Sequence, residues 1–527
     1  MKNRTIFLIG FLFVFITCVA LYGQQGPVQK TNMQKKPPEA EKAPPKAKPP
    51  AVTKHTITIG GKSVSYTATV GEMIVNKPDE KPGASMFYTA YTRNDIQDRS
   101  NWPITFAFNG GPGSSSVWLH LGGLGPRRVA MDDEGHSTSP PFGMVDNENS
   151  LIDVTDLVFI DPVSTGYSRP LPGENKSQFH GIQEDVASVG EFIRLFITKN
   201  ERWDSPKFVL GESYGTTRAA GLSGFLQGRT HGMFLNGIVL VSSVLDFSTI
   251  VFTPGNLIPY ILFLPHYTST AWYHKKLPAE FQNMPLKEVL EAAKKFALEE
   301  YAVALLKGNN LPKDRHEKIA SKVAAFTGLS LEYVKQSNLR IRHDRFVKEL
   351  LREDYQTVGR LDSRFKGSDE DAAGENYEFD PSSAAIHGSF STMLNYYLRE
   401  ELKYVKDIPY AIYGNVYPWN FSQMPSDPSQ MRRGNMGMGL NLAETLRRAM
   451  AENKNLQVFC CNGYYDGATP YFGTEYTFAQ MGLNSEFKDR VKMGYYEAGH
   501  MMYIHKPSII KFKRDLADFI KKASGAK

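Results

Sequence analysis

The rhythm of hydrophobic and polar positions changes several times along this chain, and each change predicts an element. Thr56-Ile57-Thr58-Ile59 alternates polar with apolar, Gly60-Gly61 supplies a two-residue turn, and Lys62 to Val70 resumes the alternation. Together they predict a β-hairpin. Met86 to Tyr91 predicts a further strand. Beyond it come short apolar runs: Ile104 to Phe108, Leu157 to Ile160, Phe208 to Leu210, Ile238 to Val241, Leu456 to Cys461 and Val491 to Tyr496. They end in loops dense with Gly, Ser, Asp and Pro, and helix-compatible segments separate them. That pattern predicts an α/β fold whose strands are buried on both faces of a mostly parallel central sheet. Chemistry in such sheets collects in the loops at the carboxyl ends of the strands.

Between about 247 and 446 the pattern breaks. Leu286, Val289, Leu290, Ala293, Phe296, Ala297, Tyr301, Ala304 and Leu305 recur at helical spacing. Arg315 to Phe326 and Leu331 to Leu351 continue as charged, helix-favouring segments. We read a mainly helical lid insertion over the sheet.

The N-terminus adds a different kind of segment. Lys2 and Arg4 precede an apolar stretch, Ile6 to Leu21, that is 16 residues long. A bilayer needs roughly 20, so residues 1–22 read as a signal peptide cut near Ala20 to Gly23. That implies an exported protein, periplasmic or extracellular, with no stable membrane span once the signal is removed. An uncleaved signal, or a lipid on Cys18, would leave it tethered. Residues 23–53 carry seven prolines from Pro27 to Pro50, with six lysines between them, and read as an extended linker. The folded domain then occupies 54–527.

Composition narrows the function. The 527 residues are 41% hydrophobic and 22% charged, as in ordinary globular proteins. The net charge of +6 lies wholly in the first 50 residues: Lys2 and Arg4 contribute +2, and six lysines against Glu39 and Glu41 contribute +4. The remainder is formally neutral, which argues against a nucleic-acid partner. Of three cysteines only the adjacent Cys460 and Cys461 would survive signal removal, so no disulfide framework exists and buried thiols are expected.

Candidate chemistry centres on Gly211-Glu212-Ser213-Tyr214-Gly215, a G-x-S-x-G segment between a predicted strand and the helix-compatible Thr216 to Gln227. That is the context of a nucleophile elbow, where a tight turn lifts the serine hydroxyl clear. A serine needs a base and the base an orienting acid. His500 follows the last strand directly, and Asp466 follows the strand before it. His505 and Asp246 are the competitors for these roles. Asn109-Gly110-Gly111-Pro112-Gly113 also follows a strand and lacks the Gly-Lys-Ser/Thr ending of a phosphate-binding loop. It suits an oxyanion hole, with the Gly111 N–H as one donor and the Tyr214 N–H as the other. No H-E-x-x-H and no Cys/His ligand spacing occurs, so neither a metal nor a cofactor is expected.

Taken together, Asn109 to Gly113, Phe159 to Ser168, Gly211 to Gly215, Gly463 to Pro470 and Ala498 to His500 resemble the serine carboxypeptidases, in the family's order. The resemblance implies an α/β-hydrolase core with a lid, release of single residues from peptides with a free C-terminus, and a Ser213–Asp466–His500 triad. It also implies that Asn109 and Glu212 hold the substrate's terminal carboxylate. Ala107 stands where the family has Trp, Ser114 where it has Cys, and Thr216-Thr217 where it has small residues. The Asp161 loop is one residue shorter. These departures suggest an exported bacterial-type branch. An esterase or acyltransferase on the same triad is the alternative, and an idle binding protein the third reading. Two carboxylates at contact repel unless they share a proton, so binding through Glu212 should favour acidic pH. For catalysis there the pKa of His500 would have to be lowered.

Overall fold

The computed structural model describes residues 47–423 and 439–525. The signal segment and the linker up to residue 46 lie outside them, as does 424–438 of the insertion. Nine strands form the main sheet: β1 (Ala51–Ile59), β2 (Lys62–Asn76), β3 (Pro82–Arg93), β4 (Ile104–Phe108), β5 (Asp156–Ile160), β6 (Lys207–Glu212), β7 (Gly237–Val241), β8 (Gln457–Gly463) and β9 (Val491–Tyr496). Their spatial order is β1-β2-β3-β5-β4-β6-β7-β8-β9, and the short Arg169–Pro170 pairs with β3. The first three strands form an antiparallel edge, while β4 to β9 are parallel. Strand β1 starts at Ala51, paired with Val70, so the linker ends three residues before the expected Thr53. Its alternating side chains already have a sheet neighbour to pack on.

The continuous apolar runs are explained by two cores, one on each face. Phe106, Phe108, Val209, Ile238, Leu240, Val458 and Cys460 point to one side, against the helices Ile182–Lys199, Tyr214–Gln227 and Ala443–Glu452. Ala107, Phe208, Leu210, Val239, Val241, Phe459 and Cys461 point to the other, against the last helix, Lys506–Ala523. Both cysteines are free thiols, each fully buried in a different core.

A third core belongs to the insertion, and it also takes in Tyr464, Tyr465, Tyr471 and Phe472 from the segment after β8. The insertion is therefore packed onto the very loop that carries Asp466. Its helices include Ile258–Tyr273, Leu286–Phe296, Lys313–Thr327 and Pro381–Tyr396. The continuous segment expected over Leu331 to Leu351 is two helices, Leu331–Gln336 and His343–Glu349. Asn338 and Leu339 break it by adopting positive φ, at 51° and 63°. A small pair of strands, Gln356–Val358 and Lys366–Ser368, interrupts the helices. The helix Ala443–Glu452 spans the expected C-terminal edge of the insertion at 446, and it packs on the sheet.

Candidate active site

Ser213 sits at the sharp turn between β6 and the helix Tyr214–Gln227, with φ 60° and ψ −130°. A side chain rarely adopts such a backbone, and holding one there costs about 1–3 kcal/mol. The surroundings fix it. The Ser213 N–H donates to Val241 O at 2.9 Å, and Thr216 Oγ1 donates to Ser213 O at 2.7 Å. Thr217 Oγ1 donates to Val244 O at 2.6 Å, so both threonines anchor the elbow. Only glycine fits beside it: a Cβ on Gly211 would lie 2.1 Å from Gly215 O.

The loop after β4 closes against this turn. A Cβ on Gly110 would lie 2.4 Å from the Tyr214 nitrogen and 2.6 Å from that of Gly215. Gly111, at φ +105°, follows directly. The two backbone groups expected as oxyanion donors are thus carried on segments in contact. Arg218 ties the segments together, donating to Asn109 O at 2.7 Å and to Asp185 Oδ2 at 2.7 Å, in a pair almost wholly buried.

Asp466 and His500 meet as expected, with Oδ2 and Nδ1 2.8 Å apart and both residues buried. Asp466 Oδ1 also accepts from the N–H groups of Ala468 (2.8 Å) and Thr469 (3.0 Å), and Oδ2 accepts from Thr469 Oγ1 (2.8 Å). Burial opposes ionisation of Asp466, but the charge of His500 and these donors hold its pKa below the ordinary carboxylate value. Neither competitor joins them. Asp246 caps a short helix by accepting from Ser248 N, and His505 pairs with Ser508 Oγ.

The insertion straps the His500 loop. Leu361 O accepts from the His500 N–H at 2.7 Å, and Asp362 Oδ2 accepts from the Gly499 N–H at 2.9 Å. Arg364 braces Asp362 from the other side at 2.8 Å.

Glu212 is fully buried and accepts from Tyr503 Oη at 2.5 Å. Burial pushes its pKa up to about 7, against the pull of His500 and Tyr503. Asn109 lies beside it, with Oδ1 accepting from Leu119 N at 3.0 Å and its buried amide nitrogen close to Glu212 and Tyr503. Ser213, His500, Glu212, Asn109 and Gly111 line one cavity of about 440 Å³. Ala107 lies fully buried in the sheet, while Trp118, donating to Ser114 Oγ at 3.1 Å, walls the cavity.

The lowering of the His500 pKa that catalysis at acidic pH would require is not found. Burial alone would lower it, but the Asp466 and Glu212 carboxylates raise it on balance above 6.5. Tyr503, Thr469 and Asp362 are also absent from the residues expected from sequence. Thr469 had a signal, a hydroxyl three residues after an aspartate, as in turns closed by side chains. Tyr503 sat in an apolar run that reads as packing, and Asp362 in an unremarkable turn.

Comparison with known proteins follows the same lines. Residues 71–250 match the family described as serine carboxypeptidase. Serine carboxypeptidase-like 51 of Arabidopsis thaliana is 29% identical over 191 residues, 34% of this chain and 38% of that protein. The pheromone-processing carboxypeptidase KEX1 of Saccharomyces cerevisiae is 32% identical over 123 residues, 23% of this chain and 16% of that one. The chain thus spans well under two-thirds of these relatives' lengths. In fold it is similar to the crystal structure of KEX1(Δ)p, a prohormone-processing carboxypeptidase from the same yeast. The TM-score is 0.50 with 15% identity, over 86% of this chain and 91% of that one.

Proposed function

We propose, from the match of residues 71–250 to the serine carboxypeptidase family, that the protein is an exported serine carboxypeptidase acting on peptides with a free C-terminus. Ser213 Oγ attacks the last peptide carbonyl as its proton passes to His500. Asp466 holds the ring in orientation and stabilises the imidazolium. The N–H groups of Gly111 and Tyr214 receive the developing oxyanion. On collapse the C–N bond breaks, His500 returns the proton to the leaving amine, and the shortened peptide remains as an ester on Ser213. Water, deprotonated by His500, then hydrolyses the ester and restores the serine.

One observation carries the choice of substrate: a buried glutamate, its pKa pushed up by burial to about 7, stands beside the Asn109 amide in the same cavity as Ser213. A protonated Glu212 and the Asn109 amide both offer hydrogen bonds to a carboxylate. An esterase has no use for that pair.

The test is a panel of N-blocked dipeptides with free or amidated C-termini. Turnover should require the free acid, a fluorophosphonate should label Ser213, and Ser213→Ala should lose several powers of ten in kcat. Equal turnover of amides, or labelling elsewhere, overturns the reading. Export is checked by the N-terminus of the secreted protein, expected near Ala20 to Gly23. Among the described residues no helix is long and apolar enough to cross a membrane.

A further inference from the structure

Arg360 stands in the loop between the two short strands of the insertion and lines the same cavity as Ser213 and His500. Its main chain is pinned on both sides: the Arg360 N–H donates to Asp380 Oδ1 at 3.0 Å, and its carbonyl accepts from the Gly467 N–H at 3.0 Å. The next residue, Leu361, holds the His500 N–H. The side chain is exposed and, among the described residues, its guanidinium has no ion-pair or hydrogen-bond partner. Its charge is nevertheless felt inside the cavity, opposing protonation of His500 and favouring ionisation of Tyr377 and Tyr413.

The obvious partner within the protein is already occupied. Asp380 lies at the cavity wall, but its carboxylate caps the helix Pro381–Tyr396. Besides Arg360 N it accepts from Leu361 N, Ser382 N and Ser382 Oγ. The terminal carboxylate of a peptide is also provided for, by Glu212 and Asn109, which are both buried while Arg360 stands in the open. An uncompensated planar cation over a catalytic cavity therefore awaits a second anion on the substrate. A guanidinium binds a carboxylate by two parallel hydrogen bonds, and that geometry selects the acid over its amide.

We propose that Arg360 forms an acid-recognising subsite, which binds the side-chain carboxylate of a Glu or Asp within the last two residues of the peptide. The inference rests on the carboxypeptidase reading for its substrate, so its test is built to fail separately.

The Ser213→Ala protein, which cannot turn substrate over, is titrated calorimetrically with N-blocked dipeptides. Four differ in Glu or Gln at the last or the penultimate place, and two more end in Leu with a free or an amidated terminus. Glu should bind about tenfold tighter than its isostere Gln at one of the two places, and that place locates the subsite. Adding Arg360→Gln should erase the difference, and Arg360→Glu should reverse it in favour of Gln. Equal binding of Glu and Gln peptides to the parent overturns the proposal. So does an Arg360→Gln loss common to every free-acid peptide and absent from the amide, which would put Arg360 on the terminal carboxylate. If wild type cleaves none of these peptides yet the Glu preference holds, the peptidase reading fails and the acid subsite stands. In turnover, the Glu-to-Gln ratio of kcat/KM should fall about tenfold in Arg360→Gln, because a charge-assisted contact in a cavity outweighs an exposed surface pair.

Discussion

Two segments meet at the cavity and were built in opposite ways. Residues 207–217 make their own geometry: a fully buried strand, a serine at positive φ, two glycines with no room for a side chain, and threonines that close the turn. Residues 359–364 make almost none of theirs. They gain their place from Asp380, Gly467, Gly499 and His500, which are distant in sequence and in one case on another element of the insertion. On the proposed reading, the segment of the first kind presents the nucleophile, and the docked segment of the second kind aims the base and shapes what enters. The contrast teaches that an insertion can be part of the catalytic framework while carrying no recognisable motif.

The largest effect should come from within the sheet-borne half. Asp466→Asn should lower kcat by about four powers of ten, as loss of the orienting acid does in serine hydrolases. Asp246→Asn, in a helix cap, should stay within about tenfold, since an Asn oxygen accepts from Ser248 N much as the Asp oxygen does. Steady-state kinetics on the folded variants separates the two, and the reverse order would break the assignment.

A smaller but sharper effect belongs to the docked half. Asp362→Ala removes the acceptor of the Gly499 N–H, and kcat should fall about ten- to a hundredfold with little change in KM, since a base misplaced by an ångström loses about that much. Burial leaves Arg364 without its closest partner, so thermal unfolding must be followed in parallel. A variant that unfolds at the same temperature and keeps full kcat would reduce the strap to decoration.

The smallest expected change is a matter of slope. Glu212, raised from 4.5 to about 7, is protonated at mildly acidic pH and loses its proton toward neutrality. KM for free-acid peptides should therefore rise about tenfold between about pH 6 and 8, while esters and amides stay flat. Glu212→Gln should flatten the rise, because an amide donates at any pH. It should also move the acid limb of kcat to lower pH, since a negative charge that raises the His500 pKa is gone. An unchanged KM profile in the variant would free Glu212 from the substrate altogether.

How much of this was legible beforehand follows the same divide. The strands β4 to β8 were readable because burial on both faces leaves apolar runs, whereas β9 is the half-exposed edge strand and was readable by its own short run; β4 and β9 end where the pattern ends. The hairpin was readable by its alternation, although β2 continues to Asn76 because β3 offers it a partner as far as Pro82. Ser213, Asp466 and His500 were legible because each follows a strand end. Arg360 and Asp362 were not, because three-residue strands have no periodicity and a turn of Gly-Arg-Leu-Asp has no distinctive spacing. The direction of the His500 shift was not legible, for a related reason. It depends on two carboxylates acting together against burial, and that balance exists only in the folded cavity.

On the carboxypeptidase reading, the placing of Glu212 and His500 on one cavity bears on how the leaving residue departs. Each group's charge shifts the other's pKa, and with one proton between them glutamic acid with neutral imidazole and glutamate with imidazolium are two arrangements of the same total charge. A bound carboxylate favours the first arrangement, which is also the one in which His500 is able to act. The cleaved amino acid keeps that carboxylate and goes on favouring it. Product is therefore held hardest under the acidic conditions that bind substrate best, and turnover there is paced by release. Toward neutrality that proton is lost from both arrangements, the ionised Glu212 repels the product's carboxylate, and capture of the next peptide becomes the slow event.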